Sequence, residues 1–468
     1  MSTSFRFKAG SWLVSKFGLG FQKITPMLSS SYQTGFLSPA RIASTNPVTG
    51  PVAGINLTTG TPWYHSLHGA YAAGLVKAPN AVILGAYNSA KSSLAKCVYG
   101  LHVLAAGGRV AVFDRKRQHD GQLDSGEYAR LVEVTGGTQI VFDRRAGAGC
   151  TINILDPALA ASGGEDTTVG QDELLLMAAE LACGAKLIDT SDSAPAYALR
   201  MAHRAALARA KSQGRVAVLA DVVEALYSPS PDAVPGPTDG ESVATVEDLA
   251  RWGLPVALGL LRFIDGDLSG LVSGQTSDEH GRPLDLSNPL IVFDTSALTE
   301  GSEALGFIIA VASAWIAARW SSMPGAKILI NEEAYFTDRL TGVPAILRAL
   351  AKRGRASGLG VVTLIHHLSD FKEGSDLVAL VKETDVVHIF RQDKADDVDQ
   401  VIEFFDLPPA LRETIKTLPN GVHVLRQFGS PVQIIQHVRS TMEVWLTNTD
   451  QAMLDGISKD EQPELAVK

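Results

Sequence analysis

The feature that most restricts how this chain can fold is the segment at residues 85–92, which reads Gly-Ala-Tyr-Asn-Ser-Ala-Lys-Ser. It follows a short apolar run, Ala81–Leu84, and precedes a segment of helix-compatible composition that begins at Lys91. A Gly-x-x-x-x-Gly-Lys-Ser pattern at a strand-to-helix turn directs backbone N–H groups and the positive end of a helix toward phosphate oxygens. Its lysine supplies an ammonium, and its serine supplies a hydroxyl for a metal ion. The segment therefore predicts a strand, a phosphate-binding loop and a helix, in that order.

One residue of this loop departs from the pattern, because Ala90 occupies the second glycine position. Asn88, in the middle of the loop, is of the non-glycine type that best tolerates a positive φ. Alanine tolerates it less well, and a positive φ at Ala90 would cost about 1–2 kcal/mol. We predict a nucleotide site in which that strain would weaken binding. Its residues are Gly85, Asn88, Ser89, Ala90, Lys91, Ser92 and Ser93.

The order of apolar runs predicts an α/β fold with a helical insertion. The chain has 468 residues, more than a single growing core usually takes up. Short apolar runs bounded by turn residues begin near residue 80 and resume near residue 290, as in the buried strands of a parallel sheet. The predicted organisation is a basic N-terminal arm at 1–60, the first part of the α/β core at 61–164, an all-helical insertion at 165–287, the second part of the core at 288–450 and a C-terminal tail at 451–468.

Charge is distributed unevenly along the chain. Residues 1–113 contain nine Lys or Arg and no Asp or Glu, although the whole chain has a net charge of −9. A basic arm of this kind can meet anionic lipid, nucleic acid, or the acidic body of its own or a neighbouring subunit. The last interpretation is favoured, because the arm also carries aromatic residues such as Phe5, Phe7 and Trp12 that favour burial.

Two further observations restrict the compartment. The three cysteines, Cys97, Cys150 and Cys183, are widely spaced and match no metal-ligand pattern, which indicates reduced thiols in a cytosolic protein. The longest apolar stretch, residues 304–318, is shorter than a membrane-spanning helix needs. We expect a buried helix there and no transmembrane segment.

An acidic pair follows one of the predicted strands. The apolar run that ends at Asn331 leads directly into Glu332 and Glu333. Nucleotide hydrolases use carboxylates in this position to hold Mg²⁺ and to polarise the attacking water. We assign Glu332, with Ser92, to the metal and Glu333 to the base. The alternative register, with Asn331 and Glu332 as the pair, stays open.

Other candidates lie near two more predicted strands. His366 and His367 end the strand at 360–365, and neighbouring strand residues point to opposite faces, so only one of them, His366 by position, could meet the γ-phosphate or the attacking water. An equally good interpretation is a structural histidine. An arginine brought to the developing charge, frequently from a neighbouring subunit, would accelerate phosphoryl transfer. Arg355 is the first candidate and Arg391, at the end of the strand at 386–391, is the second.

Several polar and aromatic residues are weaker candidates. Asp114 and Asp294 end apolar strands, at the edge where α/β sheets bind ligands, although Asp294 is better explained as a cap. Arg200, Arg204 and Lys211 share one helix face, which is more typical of a solvated stripe than of a nucleic-acid contact. For Trp63 and Tyr64, core packing is favoured over stacking on adenine.

These segments together resemble the TraC-like ATPases of type IV secretion and conjugation machines, within the HerA/FtsK superfamily of P-loop motors. The resemblance covers about residues 50–450. It is carried by residues 79–93, 112–114, 152–156, 292–298, 331–335 and 358–371, while Met442-Glu443-Val444-Trp445 looks like the closing strand of that family.

The resemblance implies a RecA-like P-loop NTPase core with an all-helical insertion, assembled as a hexameric ring that hydrolyses ATP with Mg²⁺. It implies inner-membrane secretion-channel proteins as partners, possible contact with DNA, and a cytoplasmic location at the inner face of the membrane. Ala90 replaces a glycine of the family pattern, His366 stands where the family has a glutamine, and the family's large N-terminal domain is reduced to a short basic arm.

Three functions fit these residues. The first is an ATPase motor of a conjugative or type IV secretion system. The second is a double-stranded DNA translocase of the same superfamily. The third is a nucleotide-binding scaffold subunit with little or no turnover, which the substitutions at Ala90 and His366 favour and the retained Lys91, Ser92 and acidic pair oppose.

Overall fold

A computed structural model of the protein describes residues 50–115, 117–120, 123–143, 149–157, 171–184, 186–187, 193–231, 244–272, 274–278, 280–284, 287–299, 302–332, 334, 343–371 and 374–447. The arm predicted at 1–60 lies outside these residues as far as residue 49, and the tail at 451–468 lies wholly outside them. The described sheet begins at Val52.

Most strands of the described residues belong to one sheet. The strands are β1 (Val52–Asn56), β2 (Thr61–Tyr64), β3 (Ala81–Leu84), β4 (Arg109–Asp114), β5 (Arg117–Asp120), β6 (Leu123–Gly126), β7 (Thr138–Val141), β8 (Leu290–Asp294), β9 (Lys327–Asn331), β10 (Leu359–Ile365), β11 (Val386–Ile389), β12 (Val422–Gln427) and β13 (Gln433–His437). The large sheet has the order β2-β1-β13-β12-β11-β3-β10-β9-β4-β8-β7, and β5 pairs with β6 separately.

The helices lie between these strands. They are α1 (Leu67–Ala72), α2 (residues 91–105, with a π-helical middle at Ala95–Leu101), α3 (Ala129–Thr135), α4 (Gln171–Cys183), α5 (Ala194–Ser212), α6 (Leu219–Tyr227), α7 (Val246–Arg262), α8 (Glu303–Trp320), α9 (Val343–Arg353), α10 (Asp376–Glu383), α11 (Ala395–Phe404), α12 (Arg412–Thr417) and α13 (Thr441–Thr447).

The part of the sheet from β11 to β7 is parallel, and β12, β13, β1 and β2 extend it in antiparallel fashion. Every residue of β3, β8, β9 and β10 is buried, because helices cover both faces of a parallel sheet. The parallel pairing places the C-terminal ends of β10, β3 and β11 side by side, with Leu84 opposite both Ile365 and Ile389. The residues that follow these three strands therefore meet at one edge.

Helices α4 to α7 form a helical unit whose apolar faces pack together. Leu174, Met177 and Leu181 share one face of α4 and are buried. The buried helix predicted at 304–318 is observed as α8, in which every residue from Ala304 to Ala318 is buried. No helix in the described ranges is long and apolar enough to cross a membrane.

One predicted element is wrong. The segment Met442–Trp445 was expected to be a strand, and it lies instead in the helix α13. Ser440 and Glu443 form a reciprocal cap, in which the Glu443 N–H donates to Ser440 Oγ at 3.2 Å and the Ser440 N–H donates to Glu443 Oε2 at 2.6 Å. This Ser-x-x-Glu cap satisfies the first N–H groups of a helix and so favours helix over strand.

Candidate functional site

The loop at residues 85–92 begins between the ends of β10 and β11, the two strands that flank β3. The Gly85 N–H donates to Ile365 O at 3.3 Å, and the Ala86 N–H donates to Arg391 O at 2.9 Å. A Cβ added at Gly85 would lie 2.6 Å from Cβ of Phe390, which is too close for any side chain. Glycine is therefore required there for the loop to pass between β10 and β11.

The backbone of the loop has the left-handed turns that its sequence suggested. Asn88 has a φ of 56° and Ala90 has a φ of 73° with a ψ of 24°. Ser89 ties the turn together, because its Oγ donates to Ala86 O at 2.8 Å. The condition for strain at Ala90 is thus met, at a cost of about 1–2 kcal/mol.

Lys91 is buried at the first position of α2, with 6% of its surface exposed. Its ammonium donates to Gly85 O, to Ala86 O at 2.8 Å and to Nδ1 of His366 at 3.2 Å. Ser92 and Ser93 follow in the first turn, and the Leu94 N–H bonds back to Ala90 O at 3.2 Å. N–H groups earlier in a helix have no acceptor within it and attract anions.

His366 lies directly after β10 and closes the other side of the loop. Its ring stacks on Tyr87 with centroids 4.0 Å apart and an interplanar angle of 20°. An ammonium only donates hydrogen bonds, so Nδ1 of His366 is the acceptor and Nε2 is left as the donor of the neutral ring.

Glu332 follows β9 at the same edge of the sheet as the loop, with β10 between β9 and β3. It is buried, and the hydroxyl of Tyr128 donates to its Oε1 at 2.5 Å. Burial, with Glu332 next in effect, raises the pKa of Tyr128 well above its ordinary value, so this hydroxyl remains a donor. The Tyr128 N–H also donates to Asp114 Oδ2 at 3.3 Å.

The strand alternation favours Glu332 over Asn331 as the first member of the acidic pair. Ile328 and Ile330 pack into the same core cluster as Leu94 of α2, so this face of β9 is the one that α2 covers. Glu332 continues that alternation, whereas Asn331 points to the opposite face. Glu333 lies outside the described residues, and its assignment as base stays a prediction.

A buried ion pair joins α2 to the segment that carries Tyr128. Nζ of Lys96 lies 2.5 Å from Oε2 of Glu127, and both side chains are at least nine-tenths buried. The same ammonium lies 5.1 Å from the centroid of the Tyr128 ring. Sequence reasoning missed these three residues, because a lysine in a helix and an isolated Glu-Tyr pair give no local signal of burial.

The two candidate arginines lie at opposite ends of the parallel strands, Arg355 before β10 and Arg391 after β11. Arg355 belongs to the turn Gly354–Ser357 that precedes β10, and it is exposed at the edge away from the loop. The structure therefore does not bring it to the loop of its own chain. Arg391 does lie at the loop, where its Nε is 3.0 Å from Oδ1 of Asp393 and its Nη1 donates to Oδ1 of Asn420 at 3.4 Å.

The remaining candidates have structural surroundings. His367 lies 3.1 Å from Asp397, on the face away from His366. Asp294 accepts from the Ser296 N–H at 2.9 Å, as expected for a cap. Trp63 is buried in the core against His65, and the charged residues Arg200, Arg204 and Lys211 are exposed on α5.

The strand order, the loop that follows β3 and the acidic residue that follows β9 define a P-loop NTPase fold with a RecA-like core and a helical unit between its two parts. Solved structures of other proteins have the same fold. VirB4 of Thermoanaerobacter pseudethanolicus matches with a TM-score of 0.62 and 18% identity over 86% of this chain and 100% of that chain. The bacterial conjugative coupling protein TrwBdeltaN70, in its unbound form, matches with a TM-score of 0.51 and 13% identity over 86% of this chain and 90% of that chain.

No protein-family model and no curated protein sequence matches the chain. At these identities, the likeness to the two solved structures establishes the fold. The RecA-like P-loop NTPase fold predicted from the sequence is confirmed.

Proposed function

We propose that this protein is an ATP-hydrolysing motor of a conjugative or type IV secretion system. The observation that carries the proposal is the buried ammonium of Lys91 at the first turn of α2, enclosed by the loop carbonyls and His366. A buried ammonium at a helix N-terminus is suited to a polyphosphate anion. The likeness to VirB4 and to a conjugative coupling protein supports secretion or conjugation as the setting.

Different residues of the loop would contact different parts of the nucleotide. Backbone N–H groups from Asn88 to Ser93 would hold the phosphates, and Lys91 would reach the β- and γ-phosphates. The hydroxyl of Ser92 and the carboxylate of Glu332 are the oxygen donors that suit Mg²⁺, and among the described residues no group of three or more metal-ligating side chains offers a denser site. When bound, Mg²⁺ would neutralise charge on the transferred phosphoryl group.

The remaining catalytic roles fall to residues around that group. Glu333 would accept a proton from the attacking water, and Nε2 of His366 would donate to a γ-phosphate oxygen. Arg391 lies at the same edge and is paired with Asp393. Arg355 lies at the other edge of its own sheet, so it could stabilise the developing charge only in a site of a neighbouring subunit.

This position of Arg355 agrees with assembly into a ring. We propose a homo-oligomer, hexameric by resemblance, that acts at the cytoplasmic face of the cell membrane with inner-membrane channel proteins as partners. DNA is a further candidate partner. The basic arm at 1–60 is the segment proposed to contact a neighbouring subunit or the membrane.

ATP turnover of the purified protein tests the proposal. Wild-type protein should hydrolyse ATP with Mg²⁺. Lys91→Ala and Glu333→Gln should each abolish turnover. Of these two variants, only Lys91→Ala should also weaken ATP binding. Turnover that rises with duplex DNA would favour the double-stranded DNA translocase. ATP binding by wild-type protein without turnover would favour the scaffold subunit.

A further inference from the structure

Arg439 is delivered to the first turn of α2 from a distant part of the chain. It lies between the end of β13 at His437 and the start of α13 at Thr441. Its Nη1 donates to Oγ of Ser93 at 3.3 Å and to Oγ1 of Thr447 at 3.2 Å. Ser93 is the residue after the serine assigned to the metal, so this guanidinium adjoins the phosphate-binding turn.

The charge of this guanidinium is not matched by a carboxylate within the described residues. Both of its hydrogen bonds go to hydroxyl oxygens, and none of the ion pairs found there includes it. The nearest acidic residue along the chain, Glu443, is engaged by His102 Nε2 at 2.6 Å and by the Ser440 N–H at 2.6 Å. An anion bound here would be stabilised both by this half-buried cation and by the positive end of the helix.

We propose that Arg439 binds the α-phosphate of the nucleotide, an assignment that rests on the proposed ATP-binding function. Lys91 reaches the β- and γ-phosphates in a loop of this kind, and the first helical turn cradles the α- and β-phosphates. The planar fork of an arginine can hold two phosphate oxygens at once, and its hydrogen bonds to Ser93 and Thr447 set it in place before the nucleotide arrives.

A purely structural role for Arg439 is disfavoured, because α13 has other anchors on the core. Arg130 Nη1 donates to Trp445 O at 3.2 Å, and Glu443 binds His102. Thr447 Oγ1 also lies 3.6 Å from Sγ of Cys97, in the π-helical part of α2. The helix would therefore stay in place without the guanidinium.

Equilibrium binding of MgATP, MgADP and magnesium tripolyphosphate to Arg439→Ala tests the assignment. Loss of one charge-assisted contact should weaken the binding of all three ligands by about tenfold or more. Arg439→Lys should recover part of the affinity, since it keeps the charge but not the fork. Thr447→Val removes one intramolecular partner and keeps the charge, so it should weaken binding less, and Arg204→Ala, an exposed arginine on α5, should not change it.

Each outcome separates the inference from the proposed function. If wild-type protein binds none of the three ligands, both are overturned. If wild-type protein binds and Arg439→Ala binds equally well, the inference alone is overturned. The assignment to the α-phosphate is also overturned if Arg439→Ala weakens MgATP and MgADP but leaves tripolyphosphate unchanged, because the guanidinium would then contact the ribose or the base. An unchanged thermal midpoint of nucleotide-free Arg439→Ala, with a smaller shift on adding MgATP, supports a binding role.

Discussion

Nδ1 of His366 lies 3.2 Å from the ammonium of Lys91. This contact joins the end of β10 to the start of α2 across the loop, so the residue proposed to meet the γ-phosphate already bonds the lysine proposed to hold the phosphates. Tyr87 stacks on the other face of the same ring. A nucleotide would have to compete for both the ammonium and the imidazole.

Replacement of His366 by glutamine tests that competition. Glutamine, the residue of the resembling family, offers a carbonyl to Lys91 and an N–H₂ to a phosphate, without the stack on Tyr87. We expect His366→Gln to keep ATP turnover within about tenfold of wild type, whereas His366→Ala should lose at least about 100-fold, by analogy with the loss of a transition-state donor. Equal turnover of His366→Ala and wild type would show that this histidine has only a structural role.

Ala90→Gly should make the loop more stable. The change removes the strain of a positive φ, about 1–2 kcal/mol, and adds the chain entropy of glycine, about 0.5–1 kcal/mol. The thermal midpoint of the nucleotide-free protein should therefore rise slightly, and ATP affinity should rise with it. Ala86→Gly is the matched control, because Ala86 has no positive φ and should only be destabilised. A lower midpoint for both variants would contradict the account of Ala90.

Tyr128→Phe should lower ATP turnover and raise the Mg²⁺ concentration needed for half-maximal activity. The hydroxyl of Tyr128 holds Oε1 of Glu332, and a buried carboxylate that loses a donor costs about 1.5–3 kcal/mol. We therefore expect a loss of about tenfold or more at limiting Mg²⁺. Tyr64→Phe is the control at an exposed tyrosine. If Tyr128→Phe needs the same Mg²⁺ concentration as wild type, the assignment of Glu332 to the metal is wrong.

The buried pair of Lys96 and Glu127 should stabilise the protein only as a pair. Lys96→Met leaves Glu127 buried without its ammonium and should lower the free energy of unfolding by about 3–5 kcal/mol, whereas the double variant Lys96→Met with Glu127→Met should recover much of the loss. The pair of Arg209 and Glu224 is a contrast, since both side chains are half exposed, and Arg209→Ala should cost less than about 1 kcal/mol. Urea unfolding measures all three, and equal losses in the single and double variants would contradict this interpretation.

A chain of buried histidines predicts loss of stability in mild acid. His65 and His388 both bond the hydroxyl of Tyr99, and His388 bonds His423. Burial lowers the pKa of His65 to about 3 and that of His388 and His423 well below the ordinary value. The unfolded chain then binds more protons than the folded chain below about pH 6.5, so stability falls as the pH falls from there toward the folded pKa values.

His437 allows this pH dependence to be measured. Burial lowers its pKa to about 4, with Arg439 acting in the same direction and Glu443 opposing it. Replacement of His437 by glutamine should reduce the slope of stability against pH by up to about 1.4 kcal/mol per pH unit between about pH 6 and about pH 4.5. His280→Gln, at an exposed position, should leave the slope unchanged. A slope equal to wild type in His437→Gln would contradict the assignment.

The fold and the loop could be predicted because their signals are local. The strand, loop and helix from Ala81 to the end of α2 are contiguous, and the acidic residues follow their strand directly. Arg355 precedes β10 and so lies at the edge opposite the loop, a consequence of strand direction that the sequence already contained. The family resemblance predicted a strand where α13 lies, although Ser440 and Glu443 have the spacing of a helix capping box.

The missed site residues have no local signal. Tyr128 is 204 residues from Glu332, and Arg439 is 346 residues from Ser93. Their contacts depend on the strand order, which places β4 beside β9 and β13 beside β12 only after the whole sheet has formed. Periodicity and motif spacing describe neighbours along the chain and could not have found them.

The most direct test of the central claim is the equilibrium binding of MgATP to wild-type protein and to Lys91→Ala, with Lys211→Ala as the control at an exposed lysine. Wild-type protein and Lys211→Ala should bind MgATP at or below millimolar concentration, and Lys91→Ala should bind it at least about tenfold more weakly. Absence of binding by wild-type protein at millimolar MgATP, or equal binding by Lys91→Ala, would contradict this claim.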